Sequence, residues 1–490
     1  MKNIVVITIE HLAARALGCY GNPVKATPHL DSFASEAIRF ENCTVPSPLC
    51  VASRVAFFTG RYPSVTGSRD NTLLMQEKEG FHLPGLLKDA GVGCGLFGKN
   101  HCFPDAETAG FEACIEESPL RHKQREAYGK PFPGPAIPIN PSVFESQTRR
   151  FRWGDHPNPI WYGGTYPFDP AESPARANVN HALDYLERKG DKPSFVWLSF
   201  SDVHPPYRAP EPFATMYRPE DMPLPHRPES ELGSKPFVQQ VYYHGGWLHL
   251  MDDEQLRQTM AYYYGMLRHL DECLGKFFNG LKALGRWDDT LIVATGDHGE
   301  YLGEHGLIRK TAAFYDCIVQ VPLIVRGLEH ARDGATNALQ IEQIDLMPTL
   351  LQSSGISIPP GVQGRSVTEM MSDMAPERDC TYAEVGSRQP LPEGGPEAEL
   401  DALKAGISRT EPVPELPLVE SGTFFLSRGR MVRNEKWKYA HYVNDRSELY
   451  DLQNDSGELV NLAGNPDYRD REEAMRSRLL ERTIEAGDPR

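Results

Sequence analysis

The chemistry in this sequence gathers around one cysteine and two acidic strand ends. Cys50 stands in Pro48-Leu49-Cys50-Val51-Ala52-Ser53-Arg54, at the mouth of a predicted helix, with Arg54 one turn further on. A group at a helix N-terminus faces unpaired backbone N–H donors and the positive end of the helix dipole, which suit a tetrahedral oxyanion. Glu10-His11 and Asp297-His298 each follow directly on an apolar run. A carboxylate after each of two neighbouring strands can supply oxygen ligands to a hard divalent cation. Taken alone, a cysteine is ordinarily a small buried hydrophobe, and an acidic residue after a strand a capping or solvated group. The pattern therefore carries weight only if these segments meet in space.

Hydrophobic periodicity indicates how they meet. Continuous apolar, β-rich runs at 4–9, 195–200, 291–294 and 322–325 alternate with helical patterns at 30–37, 261–284 and 346–352. Strands apolar on both faces, alternating with helices, predict an α/β fold with a mostly parallel sheet sandwiched by helices. Ligands in such sheets gather at the carboxyl ends of the strands, so two clusters distant in sequence can share one site. The stretches 103–161 and 205–236, rich in Pro and poor in periodicity, are expected to shape a binding site or a partner contact. Composition shifts toward Glu and Pro after Ser372, up to Pro417, and the chain ends in alternating strands and a charged helix. The expected organisation is a catalytic domain at 1–372 and a smaller C-terminal α+β subdomain at 373–490 that includes the inserted Pro/Glu-rich segment.

A chain of 490 residues with 40% hydrophobic and 24% charged residues can bury a large core. Its net charge of −16 is spread along the chain, which reads as solubility and argues against nucleic-acid binding. An anionic substrate must then be attracted by a local cluster of Lys, Arg and His. The first apolar run is too short for a signal-peptide core, and no stretch approaches the ~18 apolar residues of a membrane span. A cytoplasmic protein without membrane association is expected. Nine scattered cysteines suggest no disulfide framework, and no Cys-x-x-Cys pair supports structural zinc. Nothing specifies oligomeric state, and a homo-oligomer is compatible with the sequence.

The run from Cys50 to Arg54, followed by Thr59-Gly60-Arg61-Tyr62-Pro63, resembles the signature of the formylglycine-dependent (type I) sulfatases of the alkaline phosphatase superfamily, near the phosphonate monoester hydrolases. The resemblance spans nearly the whole chain in order: Gly18-Cys19-Tyr20-Gly21-Asn22, Thr27-Pro28-His29-Leu30-Asp31, Lys99-Asn100-His101, His204-Pro205-Pro206, Thr295-Gly296-Asp297-His298-Gly299-Glu300, Lys310, and the terminal Trp437-Lys438-Tyr439 and Glu448-Leu449-Tyr450. It implies an alkaline-phosphatase-like fold and hydrolysis of sulfate esters of small molecules or sugars. It also implies that a formylglycine-generating enzyme oxidises Cys50 to an aldehyde (3-oxoalanine) whose hydrate attacks the ester. One divalent cation, Ca, Mg or Mn, would be held by Glu10, oxidised Cys50, Asp297 and His298. Lys99 and Lys310 would hold sulfate oxygens, His101 would orient the hydrate and act as a base, and His204 would protonate the leaving oxygen. Arg54 joins this catalytic group, and Asn71 resembles a substrate-contacting Asn of phosphonate monoester hydrolases.

Three positions depart from the pattern. Ala52 replaces the commoner Pro, a form accepted in the anaerobic, radical-based route of conversion; Glu10 stands where Asp is expected; and His11 stands where a second carboxylate or an amide is commoner. Two other readings accompany the sulfatase one. The first is a phosphonate monoester or phosphodiester hydrolase on the same scaffold. The second is a non-catalytic ligand-binding member with an unmodified Cys50 thiol.

Overall fold

The computed structural model describes residues 3–71, 73–75, 80–116, 163–166, 169–245, 248–372, 377–386, 397–398, 400–401, 404 and 427–487. Most of the expected 103–161 loop, much of the Pro/Glu-rich insertion, and Trp247 lie outside them. The strands, in chain order, are β1 (Asn3–Ile9), β2 (Ile38–Thr44), β3 (Gly93–Gly98), β4 (Ala113–Glu116), β5 (Gly163–Tyr166), β6 (Ser194–Phe200), β7 (Tyr207–Pro210), β8 (Thr290–Gly296), β9 (Leu323–Arg326), β10 (Thr336–Glu342), β11 (Thr381–Gly386), β12 (Arg428–Arg433), β13 (Trp437–Tyr442) and β14 (Glu448–Asp451).

The central sheet has the order β10-β2-β9-β8-β1-β6-β3-β4. All its pairings are parallel except those of β9, which runs against both β2 and β8. The sheet is mostly parallel, as the apolar runs predict, and β9 is its antiparallel member among the described strands. Segment 297–322, between β8 and β9, holds only the short helix Asp316–Val319 and a 3-10 turn, and no long crossover helix to carry β9 back in parallel. The fold is the α/β sandwich expected.

β1 shows why it is central. Val5, Ile7 and Ile9 enter the core on one face, with Phe33 and the long helix Asp253–Ala283, while Ile4 and Val6 enter the core on the other, with Val51, Val55 and Phe58. Successive strand residues point to opposite faces, so only a run apolar at every position can be buried on both. The long helix begins at Asp253, upstream of the apolar pattern at 261. Its start is set by a capping box between Asp252 and Gln255.

A second sheet, β11-β12-β13-β14, is antiparallel throughout. With the helix Arg469–Gly487 it packs Tyr382, Val432, Tyr439 and Leu479 against Ala56, Tyr62 and Ile344. Arg482 of that helix donates to Glu342 at 2.8 Å and to the Tyr62 hydroxyl at 2.7 Å, and Tyr62 donates to Glu342. Gln363 binds the Gly60 carbonyl, the Tyr62 amide and the Ala486 carbonyl. These bonds fasten the far end of the helix Cys50–Thr59. Among the described residues no helix is long and apolar enough to cross a membrane. All nine cysteines are free.

Candidate active site

Register places the acidic strand ends side by side. Ile9 of β1 pairs with Phe200 of β6 and Gly296 of β8, so Glu10 and Asp297 leave adjacent strands at the same level. Gly98 of β3 pairs with Ser199, and the Lys99 amide donates to the Ser199 carbonyl at 2.9 Å. Gly98 adopts φ +111, and a Cβ there would lie 1.8 Å from the Ser199 carbonyl oxygen, so only glycine lets the chain turn here and deliver Lys99.

Cys50 is the first residue of its helix. Leu49 offers no side-chain cap; instead the amide oxygen of Asn71 accepts from the Val51 N–H at 3.0 Å. Cys50 Sγ lies 3.1 Å from Glu10 Oε1 and 3.2 Å from His298 Nε2. Donor atoms of Glu10, Cys50, Asp297 and His298 all fall within 4.8 Å of one another. Glu10, one methylene longer than the expected Asp, reaches the cluster. None of the four is more than 2% exposed, so bulk water is kept from the cluster.

A divalent cation fits these residues on a specific observation. Glu10 Oε2 and Asp297 Oδ1 are buried without a hydrogen-bond partner among the described residues. His298 Nε2 is 3.7 Å from Asp297 Oδ1, too far to hydrogen-bond it. Two orphaned carboxylate oxygens are costly unless a cation compensates them. His298 Nδ1 lies 2.9 Å from the Gly299 carbonyl, which can only accept. The ring therefore carries a hydrogen on Nδ1 and turns Nε2 toward the cluster, the atom a bound cation would take as its ligand.

Arg54, buried one turn into the helix, donates from Nε to Asp297 Oδ2 at 2.9 Å, and from Nη1 to Ser199 Oγ at 2.8 Å and the Lys99 carbonyl at 3.1 Å. It clamps one carboxylate of the cluster and ties three strand ends to the helix. Lys99 donates to Glu10 Oε1. Lys310 Nζ lies 2.9 Å from His11 Nε2, and the His11 ring stacks edge-on against His204 and His298, with centroids 4.6 Å away in each case. His204 Nδ1 lies 2.5 Å from the Pro205 carbonyl, so that nitrogen is the donor. His101 follows Lys99 in a left-handed conformation, φ 44°, and its buried Nδ1 has no partner among the described residues. His11, Leu302, His305 and Arg309 share positive φ, backbone strain of a kind that concentrates at functional sites.

Burial raises the Glu10 pKa, but Lys99, His204, Lys310 and Arg54 outweigh it, and the carboxyl is held well below its usual range. Burial drives His204 well below the usual imidazole value, opposed by Glu10 and reinforced by Lys310, Lys99 and Arg309. Burial also holds His11 low, reinforced by Lys310, His204 and His298. Burial and Glu10 push the Cys50 thiol up, while Lys310, His298 and Lys99 pull it down, leaving it at about 5. Unconverted, cation-free protein should therefore carry a Cys50 thiolate at neutral pH. Its ultraviolet thiolate absorbance should disappear as pH falls through about 5. The folded value lies below the ~8.5 of an unfolded cysteine. The stabilisation is complete above ~8.5 and is lost as pH falls from there toward the folded value. Titration near ~8.5 in the folded protein would refute the assignment.

The structure thus brings Glu10, Cys50, Arg54, Lys99, Asp297 and His298 into one connected cluster, with His11, His204 and Lys310 joined to it. Asn71 enters as the cap of the Cys50 helix. Sequence reading gave no role to Ser199, which holds Arg54, or to Glu300, whose carboxylate lies 2.6 Å from His11. The signal for Glu300 was its place at the end of the segment Thr295–Glu300 that carries the resemblance, two residues after His298.

A profile of the sulfatase family matches residues 2–356. The chain belongs to the sulfatase family. The assignment carries the enzyme class, a sulfuric ester hydrolase. Among similar proteins, the multifunctional alkaline phosphatase superfamily protein PehA of Trinickia caryophylli is 27% identical over 498 residues, covering 95% of this chain and 92% of that protein. An arylsulfatase of Clostridium perfringens is 25% identical, covering 98% and 93%. Among solved structures, the phosphonate monoester hydrolase SpPMH from Silicibacter pomeroyi matches with a TM-score of 0.77 at 24% identity, covering 99% of this chain and 95% of that one, a likeness of fold. The sulfatase fold is thus the alkaline-phosphatase-like sheet with its separate antiparallel C-terminal sheet.

Proposed function

We propose that this chain hydrolyses sulfate monoesters of small molecules or sugars, using a formylglycine made from Cys50 and one divalent cation held by Glu10, Asp297, His298 and the oxidised residue 50. The observation that carries this reading is the pair of orphaned carboxylate oxygens, on Glu10 and Asp297, facing Cys50 at a helix N-terminus. Bound there, the cation would polarise oxygen and the aldehyde hydrate would supply the nucleophile.

The chain's own side chains do the rest. Arg54 fixes the orientation of Asp297. Lys99 and Lys310 hold sulfate oxygens in line with residue 50 and offset charge on the sulfuryl group. The S–O bond to the alcohol breaks, and the leaving oxygen takes a proton from His204, whose protonated form an arriving anion favours against the effect of burial. His101 accepts a proton as sulfate is released. A formylglycine-generating enzyme is the partner that this chemistry requires. Calcium, magnesium and manganese all suit an oxygen-rich ligand set.

A second reading, phosphonate monoester or phosphodiester hydrolysis, is favoured by the similarity to SpPMH and by Asn71 at the mouth of the Cys50 helix. The deciding experiment compares kcat/KM for an aryl sulfate and an aryl phosphonate ester, on protein whose residue 50 is shown by peptide mass spectrometry to be converted. Sulfate should be the faster substrate, and faster phosphonate turnover would overturn that choice. A free thiol in every preparation, with no metal by elemental analysis, would favour the ligand-binding reading.

A further inference from the structure

Beside the cation cluster runs a second line of buried groups. Glu300 Oε2 is 2.6 Å from His11 Nδ1, the two side chains being 1% and 0% exposed, and His11 Nε2 is 2.9 Å from Lys310 Nζ. Burial raises the Glu300 pKa, and the Leu302 N–H, donating to Glu300 Oε1 at 3.1 Å, opposes that by favouring the ionised carboxylate. With a carboxylate on one side, Nδ1 must carry the ring hydrogen. With an ammonium on the other, Nε2 must offer its lone pair. The ring is therefore neutral and of one tautomer. Its backbone is also held, because Tyr263 donates to the His11 carbonyl at 3.0 Å.

A competing use of His11 is as a cation ligand, since donor atoms of Glu10, His11 and His204 also lie within 4.8 Å of one another. The ammonium groups oppose it: Lys310 lies against the one lone pair of His11, and Lys99 binds Glu10. A cation placed there would have to displace both.

We propose that Glu300 and His11 form a positioning relay for Lys310, in which Glu300 fixes the tautomer and rotation of His11 and His11 aims the ammonium at the sulfate oxygens. The inference rests on the reading of Lys310 as a sulfate-holding group. A neutral acceptor orients the lysine and leaves its charge available to the substrate. A carboxylate at position 11 would neutralise that charge and add a third anion beside Glu10 and Asp297. His11 is thus a positioning residue and not a ligand, which gives its departure from the family pattern a physical reason.

The test uses the converted, cation-loaded enzyme and inorganic sulfate as the probe. His11→Leu should weaken inhibition by sulfate about tenfold, the scale of one lost charge-assisted hydrogen bond. His11→Glu should weaken it further. His11→Gln, which restores an acceptor near the position of Nε2, should return it to within about threefold of the parent. Bound cation, by elemental analysis, should be the same in all. Loss of cation in His11→Leu, unchanged sulfate inhibition, or a Gln variant no better than Leu would each overturn the relay. Should the variants fail to fold, long-range 15N–1H spectra of the parent decide the matter: Nδ1–H on His11 supports the relay and Nε2–H sinks it. If sulfate does not inhibit the parent at all, the sulfate-ester reading fails, and the tautomer still tests the His11 geometry by itself.

Discussion

Replacing Cys50 by Ala should lower kcat/KM for an aryl sulfate by about 10⁴- to 10⁶-fold, the range seen when an enzyme loses its nucleophile but keeps its binding groups. On the proposed mechanism, the residual rate would come from Lys99, Lys310 and the helix N-terminus, which would still hold the sulfuryl group. Folding should be nearly unaffected. Cys50 fills little volume, and its closest polar contacts, Glu10 Oε1 at 3.1 Å and His298 Nε2 at 3.2 Å, are groups that the cation also satisfies. The measurement is turnover of converted parent and variant at matched cation content, with circular dichroism as the check on structure. Activity of the variant within tenfold of the parent would remove residue 50 from the chemistry.

The second large effect concerns stability. Arg54→Met should destabilise the cation-free protein by about 3–5 kcal/mol, because it leaves the Asp297 carboxylate buried without its charged partner. Both side chains are only 2% exposed, so water cannot take over the role of the guanidinium. The variant also removes the Arg54 hydrogen bonds to the Lys99 carbonyl and to Ser199 Oγ, which keeps the bond it accepts from Thr8. Adding a divalent cation should shrink the difference, since the cation compensates the same carboxylate. Urea unfolding with and without cation measures both quantities. Equal stability of parent and variant without cation would mean that Arg54 does not carry the charge of Asp297.

Much of this architecture was readable before any coordinates. The run at 4–9 is apolar at every position, which only a strand buried on both faces requires, and β1 is that strand. Glu10 and Asp297 were readable as neighbours because sheets of this kind collect ligands at the carboxyl ends of their strands. Elsewhere local sequence is silent for physical reasons. The apolar run in β9 specifies burial and not direction, and its antiparallel course depends on what segment 297–322 lacks. Asn71 looks like an ordinary turn residue, since its service to the Val51 amide depends on the return of the chain to the Cys50 helix. Glu300 reads as one more acidic loop residue until folding sets it against His11. The downward shift of His204 likewise depends on its burial in the folded chain, reinforced by ammonium groups brought from far along the sequence.

The stitching of the last helix to the base of the Cys50 helix bears on when a formylglycine could be made from Cys50. Tyr62 and Arg482 are 420 positions apart. At about 5–20 residues per second, roughly 20–80 s of synthesis separate them on a ribosome. Until Arg482 and Ala486 emerge, the bonds that pin the base of that helix cannot form, and the nascent stretch around residue 50 can remain open. Once they close, Cys50 is 2% exposed and beyond the reach of another protein's catalytic groups. On the formylglycine reading, oxidation of Cys50 would belong to the interval of synthesis, and a chain released already folded with its thiol intact would have missed it.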